Sequence, residues 1–443
     1  MANKKVKQNK ISVGVGASNL KDAYKAAKAA AKQAMDDCGN IPTFSIVYVD
    51  SRYNPQQILK GINEVIGKNW VGCSVDKQIS SKTSYSKDTV VSVLSIFSEY
   101  LHFGIGAIEN YKSNAVRSGI KAIKEAMKDV KADRYVNSYV QFTRAKRQDY
   151  STIIKTPPYF ILAIAGSQTK KNGKYVAGEE TKFLKGILEH TGPHIPVFGI
   201  GAGSDFDEFL SPKVKDVGNF QFAKGKTYKN AGIVVFVISS LYFEIDVQHG
   251  YLTTKDFVAV TKLDKTGFEI LELNGKEPVA EYCRIVGASK EEYLKNPENY
   301  SLTRPLGLTA LDGSTYIKEA FPNPDGKTLH CTYELKENMV LNVLKFNKES
   351  LFNTMSEIIL DSKKNNKGKK IIMVLFCNCC SRRLLMEGEE SKANQLVLKK
   401  HKDVPFFGCY AFSEIGSTKT NMAQVYGETV TALILYDNLL TEI

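Results

Sequence analysis

Two runs near the C-terminal end hold the side chains best suited to chemistry. Cys377-Asn378-Cys379-Cys380 follows the apolar stretch Ile371 to Phe376 and contains one Cys-x-x-Cys spacing, between Cys377 and Cys380. Such a pair can bind a metal, cycle as a dithiol, or sit as small buried thiols at a strand end. There is no second Cys-x-x-Cys, although folding can bring Cys409 close. Arg382 and Arg383 follow at once. A guanidinium fork at a strand end can clamp a carboxylate or phosphate, or pair with Glu387, Glu389 or Glu390 on the surface. Arg304, ahead of Pro305-Leu306-Gly307, is a second anion anchor or a turn brace. Glu414 lies among apolar and small residues, where a carboxylate can receive an ammonium or face solvent. His249-Gly250 offers a ligand or haem-iron contact. His190 and His194 are separated by Gly192 and Pro193, which break the helix that would align them for a metal.

Familiar catalytic signatures are missing. Gly225-Lys226-Thr227 ends like a phosphate loop, but Phe220 stands where its first glycine belongs. Gly199-Ile200-Gly201-Ala202-Gly203 follows a strand-like run, but Ser204 occupies the place of the dinucleotide fingerprint's third glycine. There is no His-Glu-x-x-His and no Gly-x-Ser-x-Gly. No catalytic residue is assigned, and a ligand-binding role is favoured over an enzyme.

The elements that position these residues recur. Val404-Pro405-Phe406-Phe407-Gly408-Cys409 has a copy in Pro196-Val197-Phe198-Gly199-Ile200-Gly201 and a weaker one in Trp70-Val71-Gly72-Cys73-Ser74. Each follows an apolar run (Phe44 to Val49, Phe160 to Ala165, Ile371 to Phe376) and a helix-like stretch. Each precedes a second apolar run: Val90 to Ile96, Ile233 to Ile238, Val430 to Leu435. The order predicts an α/β fold with mixed sheets built from repeated β-α-β-β units and helices on the outside. Gly72, Gly199 and Gly408 are expected at sharp turns or ligand approaches, since glycine alone adopts positive φ without steric cost.

Residues 1–10 read as a disordered tail. Residues 11–250 form a first domain of two related halves, about 11–110 and 111–250. Asn19 caps a helix over Leu20 to Met35, and a second helix runs from about Asn114 to Lys128. From Tyr251 the texture changes to alternating strands and turns, such as Asn274-Gly275, and residues 251–443 read as a second domain.

With 443 residues and ordinary apolar content, the chain can bury two or three cores. Its net charge of +13 gathers in Lys4 to Lys10 and Lys363 to Lys370, which read as solvated surface. Nothing resembles a zinc finger, a basic zipper or an RNA-binding strand, so nucleic acid is not the expected partner. No signal peptide is visible, and Ala231 to Phe243 is too short to span a bilayer. Eight scattered cysteines do not form a disulfide framework, and a cytoplasmic location is expected.

Six elements in order resemble the FIST (F-box and intracellular signal transduction) sensory domain family, in its paired N-terminal and C-terminal domains. Gly199-Ile200-Gly201-Ala202-Gly203-Ser204-Asp205 is similar to its Gly-Gly-x-Ala-Gly-Asp element, and His249-Gly250-Tyr251 to its Gly-Trp element. Glu272-Leu273-Asn274-Gly275 with Pro278 resembles Glu-Leu-Asp-Gly-x-Pro. Arg304-Pro305-Leu306 with Asp312-Gly313 resembles its Arg-x-Pro-Leu and Asp-Gly pair. Cys379 to Arg382 is similar to Cys-x-x-Arg, and Gly408 to Gly416 to Gly-Phe-Tyr-x-x-Gly-Glu-Ile-Gly.

The resemblance implies a stand-alone sensory protein that binds a small ligand such as an amino acid or carboxylate and signals through a separate partner protein. The candidate ligand-binding set is Arg304, Arg382, Glu414, Gly199, Gly201, Asp205, Gly408 and Cys379. Arg304 and Arg382 would hold a carboxylate, Glu414 an amine, and the Gly199–Asp205 loop would supply backbone donors. No cofactor is required. Two alternatives remain: a haem-based nitric oxide sensor with His249 as axial ligand, and a metal or thiol-redox enzyme using Cys377 and Cys380.

Overall fold

The computed structural model describes residues 10–82, 90–135, 157–310, 313–418 and 422–440. Residues 1–9 of the expected 1–10 tail, and Asp312, lie outside them.

Three sheets share one strand order. In the first, Ile11–Ser18 pairs with Val91–Ser98, which pairs with Phe44–Asp50, and that strand runs parallel to Trp70–Val75. The second repeats this order with Leu101–Ile108, Gly232–Ser239, Tyr159–Gly166 and Val197–Ala202. The third repeats it with Leu241–Gln248, Val430–Leu439, Ile371–Cys379 and Phe406–Ala411. Each unit therefore opens with a strand that the β-α-β-β expectation lacked, ahead of a helix that was expected. The third sheet takes strands from both sides of residue 250, so a boundary at 250/251 passes through a sheet.

Each sheet is completed by a strand from another unit. Gln221–Ala223 pairs with Trp70–Val75, Ser413–Gly416 with Val197–Ala202, and Lys77–Ser80 with Phe406–Ala411. A ring of backbone bonds closes the exchange. Gly203 N donates to Ser74 O at 3.0 Å, Phe412 N to Gly201 O at 3.1 Å, and Asp76 N to Tyr410 O at 3.0 Å.

The inner faces of the three sheets build one core, including Phe44, Leu162, Phe198, Leu375 and Phe407. The helices pack outside, over separate outer cores: Ala23–Cys38 and Pro55–Ile66 on the first sheet, and Ala115–Asp129 and Glu180–Thr191 on the second. Lys348–Asn365 and Glu390–Lys400 cover the third. The first helix starts at Ala23, not Leu20, because the Asp22 side chain accepts the Lys25 N–H and so caps it in place of Asn19.

Gly72, Gly199 and Gly408 are not turns. They lie inside strands and are absent from the positive-φ positions. A Cβ at Gly72 or Gly408 would overlap the carbonyl oxygen of Val47 or Phe376 on the parallel neighbour, and one at Gly199 would come 2.8 Å from Ala163 O. Their role is close backbone packing.

Residues 251–346 are inserted between the first strand of the third unit and its helix. They form a seven-stranded sheet with a core of its own, including Val260, Ile270, Tyr282, Tyr293 and Leu341.

Candidate functional site

The three corners where strands are exchanged can be compared residue by residue. Gln78, Gln221 and Glu414 hold the same register position, opposite Cys409, Cys73 and Ile200. Each side chain bonds the residue just before its unit's last strand. Gln78 Nε2 donates to Val90 O at 3.1 Å, and Gln221 Oε1 accepts from Ala231 N at 2.8 Å. Glu414 Oε2 accepts from Thr429 N at 3.2 Å and from Thr429 Oγ1 at 2.9 Å. An amide thus suffices twice for the bond that an acid makes at the third corner.

The third corner departs further. Glu428 and Asn230 both precede that anchored residue and both adopt positive φ, 52° and 58°. Glu428 is fully buried and accepts from Tyr251 Oη of the insertion. Glu319, also from the insertion, lies against Glu428. Oε1 of Glu414 and Oε1 of Glu428 are buried without a hydrogen-bond partner among the described residues. Burial pushes Glu319 up to about 8, and it pushes Glu414 and Glu428 well above the usual carboxylate range. Glu319 therefore holds its proton at neutral pH, and burial favours the protonated form of the other two.

Cys379 ends the strand beside them, and its N–H donates to Thr429 O at 3.1 Å. The Cys380 thiol, and then the backbone N–H groups of Glu428 and Ser381, stabilise its thiolate against burial and pull it down to about 6. The expected Cys377–Cys380 pair is not formed. Cys377 faces the central core and hydrogen-bonds Cys409, its register partner, while Cys380 bonds Cys379. The strand ends at Cys379 and Cys380 opens the helix Cys380–Leu385, so the two thiols go to different places. Among the described residues, no group of three or more His, Cys, Asp and Glu side chains is arranged to hold a metal.

Arg382 does not present its fork to a ligand. Nε donates to Asn378 Oδ1 at 2.9 Å, Nη1 to the carbonyls of His249 and Glu428, and Nη2 to Leu351 O at 3.1 Å and Thr354 Oγ1 at 2.9 Å. The side chain is fully buried and ties the helix Lys348–Asn365 to the third sheet. Arg304 braces the insertion: Nε donates to Leu344 O at 3.2 Å, and Nη2 meets Asp256 at 3.3 Å. Gly201 gives room to Ser413. Asp205 caps the short helix Phe206–Leu210 and pairs with Lys77 at 3.0 Å. The expected carboxylate clamp is therefore not assembled, because its donors already serve the fold.

A cavity of about 350 Å³ opens where the insertion meets the third unit. Gln248, His249, Gly250, Tyr426 and Thr429 line it from the core, and Thr253, Ser314, Thr315 and Tyr316 from the insertion. The segment Tyr426–Thr429 is its shared wall. Thr429 faces the cavity and anchors both Glu414 and Cys379. His249 Nδ1 accepts the Tyr251 N–H at 2.9 Å, and burial with Arg382 nearby pulls its pKa down to about 4. The ring is neutral with its proton on Nε2, which leaves no lone pair for iron and runs against the expected haem ligation.

Sequence reasoning missed Glu319, Glu428 and Asp76. Arg383, expected either as an anion clamp or as a surface partner of Glu387, Glu389 or Glu390, is buried and pairs with Asp76 at 2.6 Å, Asp207 at 2.9 Å and, of the expected acids, Glu390 at 3.4 Å. It links all three units. Glu428 had one signal, an acid followed by Thr429 just before an apolar strand, but its neighbours come from residues far away in sequence.

These features define a mixed α/β protein with exchanged strands and a walled cavity under an inserted module. The chain belongs to the FIST family: residues 43–276 match the FIST N domain and residues 278–417 the FIST C domain. FIST domains are signalling sensor domains. The chain is 24% identical over 221 residues to an uncharacterized protein, MJ1623, of Methanocaldococcus jannaschii, covering 46% of this chain and 39% of that protein. The match thus spans well under half of that relative's length.

Among solved structures, the chain is similar to cyanuric acid hydrolase from A. caulinodans, with a TM-score of 0.26 and 10% identity over 52% of this chain and 71% of that one. It is also similar to PurLQS from Thermotoga maritima, with a TM-score of 0.22 and 11% identity over 98% of this chain and 73% of that one. Neither likeness is strong enough to bear on fold or function.

Proposed function

We propose that the protein is a small-ligand sensor whose ligand binds in the cavity between the insertion and the third unit. The observation that carries this reading is the composition of the wall, which is drawn from both bodies, so a ligand there bonds one to the other. The lining is rich in hydroxyls and amides, with the neutral His249 as a donor. About 350 Å³ lies at the small end of ligand pockets. A free amino acid is the first class to test, its amine directed to the Glu414 side of the wall and its carboxylate to His249 Nε2 and the hydroxyls. Arg382 and Arg304 act in this reading by bracing the wall. All eight cysteines are unbridged, which supports a reducing, cytoplasmic setting. No helix among the described residues is long and apolar enough to cross a membrane. The signal would pass to a separate partner protein.

The test is thermal unfolding against a panel of amino acids and small polar compounds, with the wild type and Ser314→Trp. A compound that binds the folded state at a hundred times its Kd adds about 2.7 kcal/mol. One member of the panel should raise the wild-type midpoint, and the indole should abolish the shift. A panel without effect, or an equal shift in the variant, contradicts the reading.

A further inference from the structure

The three exchanged corners are an internal control for what the fold itself needs. At two of them an amide holds the start of the last strand, and at the third Glu414 does so with one oxygen left over. That oxygen and Glu428 Oε1 are both buried and have no hydrogen-bond partner among the described residues. Hydrogen bonds make buried acceptors tolerable, and an unmet one costs about 1–3 kcal/mol. The charged and titratable groups around them are Glu319 and Tyr251 from the insertion, Tyr333 beside Gly427, Cys379 and Cys380 at the strand end, and Arg382. Arg382 is the cation among these, and its donors go to carbonyls, an amide and a hydroxyl rather than to any carboxylate. Among the described residues, neither oxygen is therefore bonded to a cation.

We propose that Glu414 and Glu428, with Glu319 behind them, form an ammonium site in which a bound alkylammonium group donates to the two unpartnered carboxyl oxygens. An ammonium brings three donors and one positive charge, which matches two empty acceptor oxygens. This rests on the cavity reading, because Thr429 is both the cavity wall and the anchor of Glu414. Burial favours the protonated acids, so the cation displaces protons to bulk water and binding tightens as pH rises. Burial holds Glu319 near about 8, which places the steepest change around neutrality and above.

Ethylammonium is the probe and ethanol its uncharged counterpart, each measured by unfolding midpoint at about pH 6 and about pH 8. Glu414→Gln is the variant, since it installs the residue that the other two corners use. Ethylammonium should raise the wild-type midpoint, more at the higher pH, while ethanol should not, and Glu414→Gln should lose the shift. An equal ethylammonium shift in Glu414→Gln overturns the site. So does the absence of any ethylammonium shift. If a neutral polar compound still stabilises the wild type and Ser314→Trp abolishes that effect, the cavity reading survives the loss of the ammonium site.

Discussion

His249 shows how burial sets the charge at the cavity wall. Its folded pKa is about 4 against an ordinary 6.5, first from burial and then from Arg382. Between those values the unfolded chain binds more protons than the folded one, so stability falls as pH drops through that window. The loss is about 3 kcal/mol once the ring is protonated in both states. His249→Asn keeps an acceptor for the Tyr251 N–H and removes the titration. Denaturant unfolding across that pH range should show a flatter acid limb for the variant, and an unchanged slope would assign the acid limb to other groups. Glu414 was legible as a candidate because a lone acid stood among apolar residues. Glu319 and Glu428 were not, because nothing local marks them. Only the folded chain brings the insertion's Glu319 and Tyr251 against residue 428.

At the scale of elements, glycines decide how closely helices sit on sheets. Gly14 and Gly16 let Ala23–Cys38 rest directly on the first strand, and Gly104 and Gly106 do the same for Ala115–Asp129. A Cβ on Gly106 would overlap the carbonyl oxygen of Ala122. Gly106→Ala should cost about 3 kcal/mol in denaturant unfolding, as overpacking does. Gly218→Ala, with open space and no positive φ, should change stability by less than about 0.5 kcal/mol. Equal effects would remove close packing as the reason for these glycines. The same residues hid the opening strands from sequence reasoning, since Ile11-Ser12-Val13-Gly14-Val15-Gly16 reads as broken rather than as a strand. The third unit pairs the corresponding positions with Glu244 and Asp246. There Glu244 accepts from Ser362, Asn366 and Tyr436 instead of admitting the helix backbone.

At the scale of the molecule, three units exchange strands and close a ring, and the insertion rests on one corner of it. The recurring Gly elements made the three units visible in sequence. The exchanged strands were not visible, because Lys77-Gln78-Ile79-Ser80, Gln221-Phe222-Ala223 and Ser413-Glu414-Ile415-Gly416 share little beyond an apolar residue after Gln or Glu. Their equivalence is one of register rather than residue type. The ion pairs of Arg383 with Asp76 and Asp207 lock the ring. A ligand in the cavity would tie the insertion to that corner. Native-state hydrogen exchange with and without the stabilising compound tests this most directly. Slower exchange confined to residues 313–316 and 426–430 is the predicted result, because both walls are then held together. Protection elsewhere in the chain, with neither wall slowed, would contradict the account.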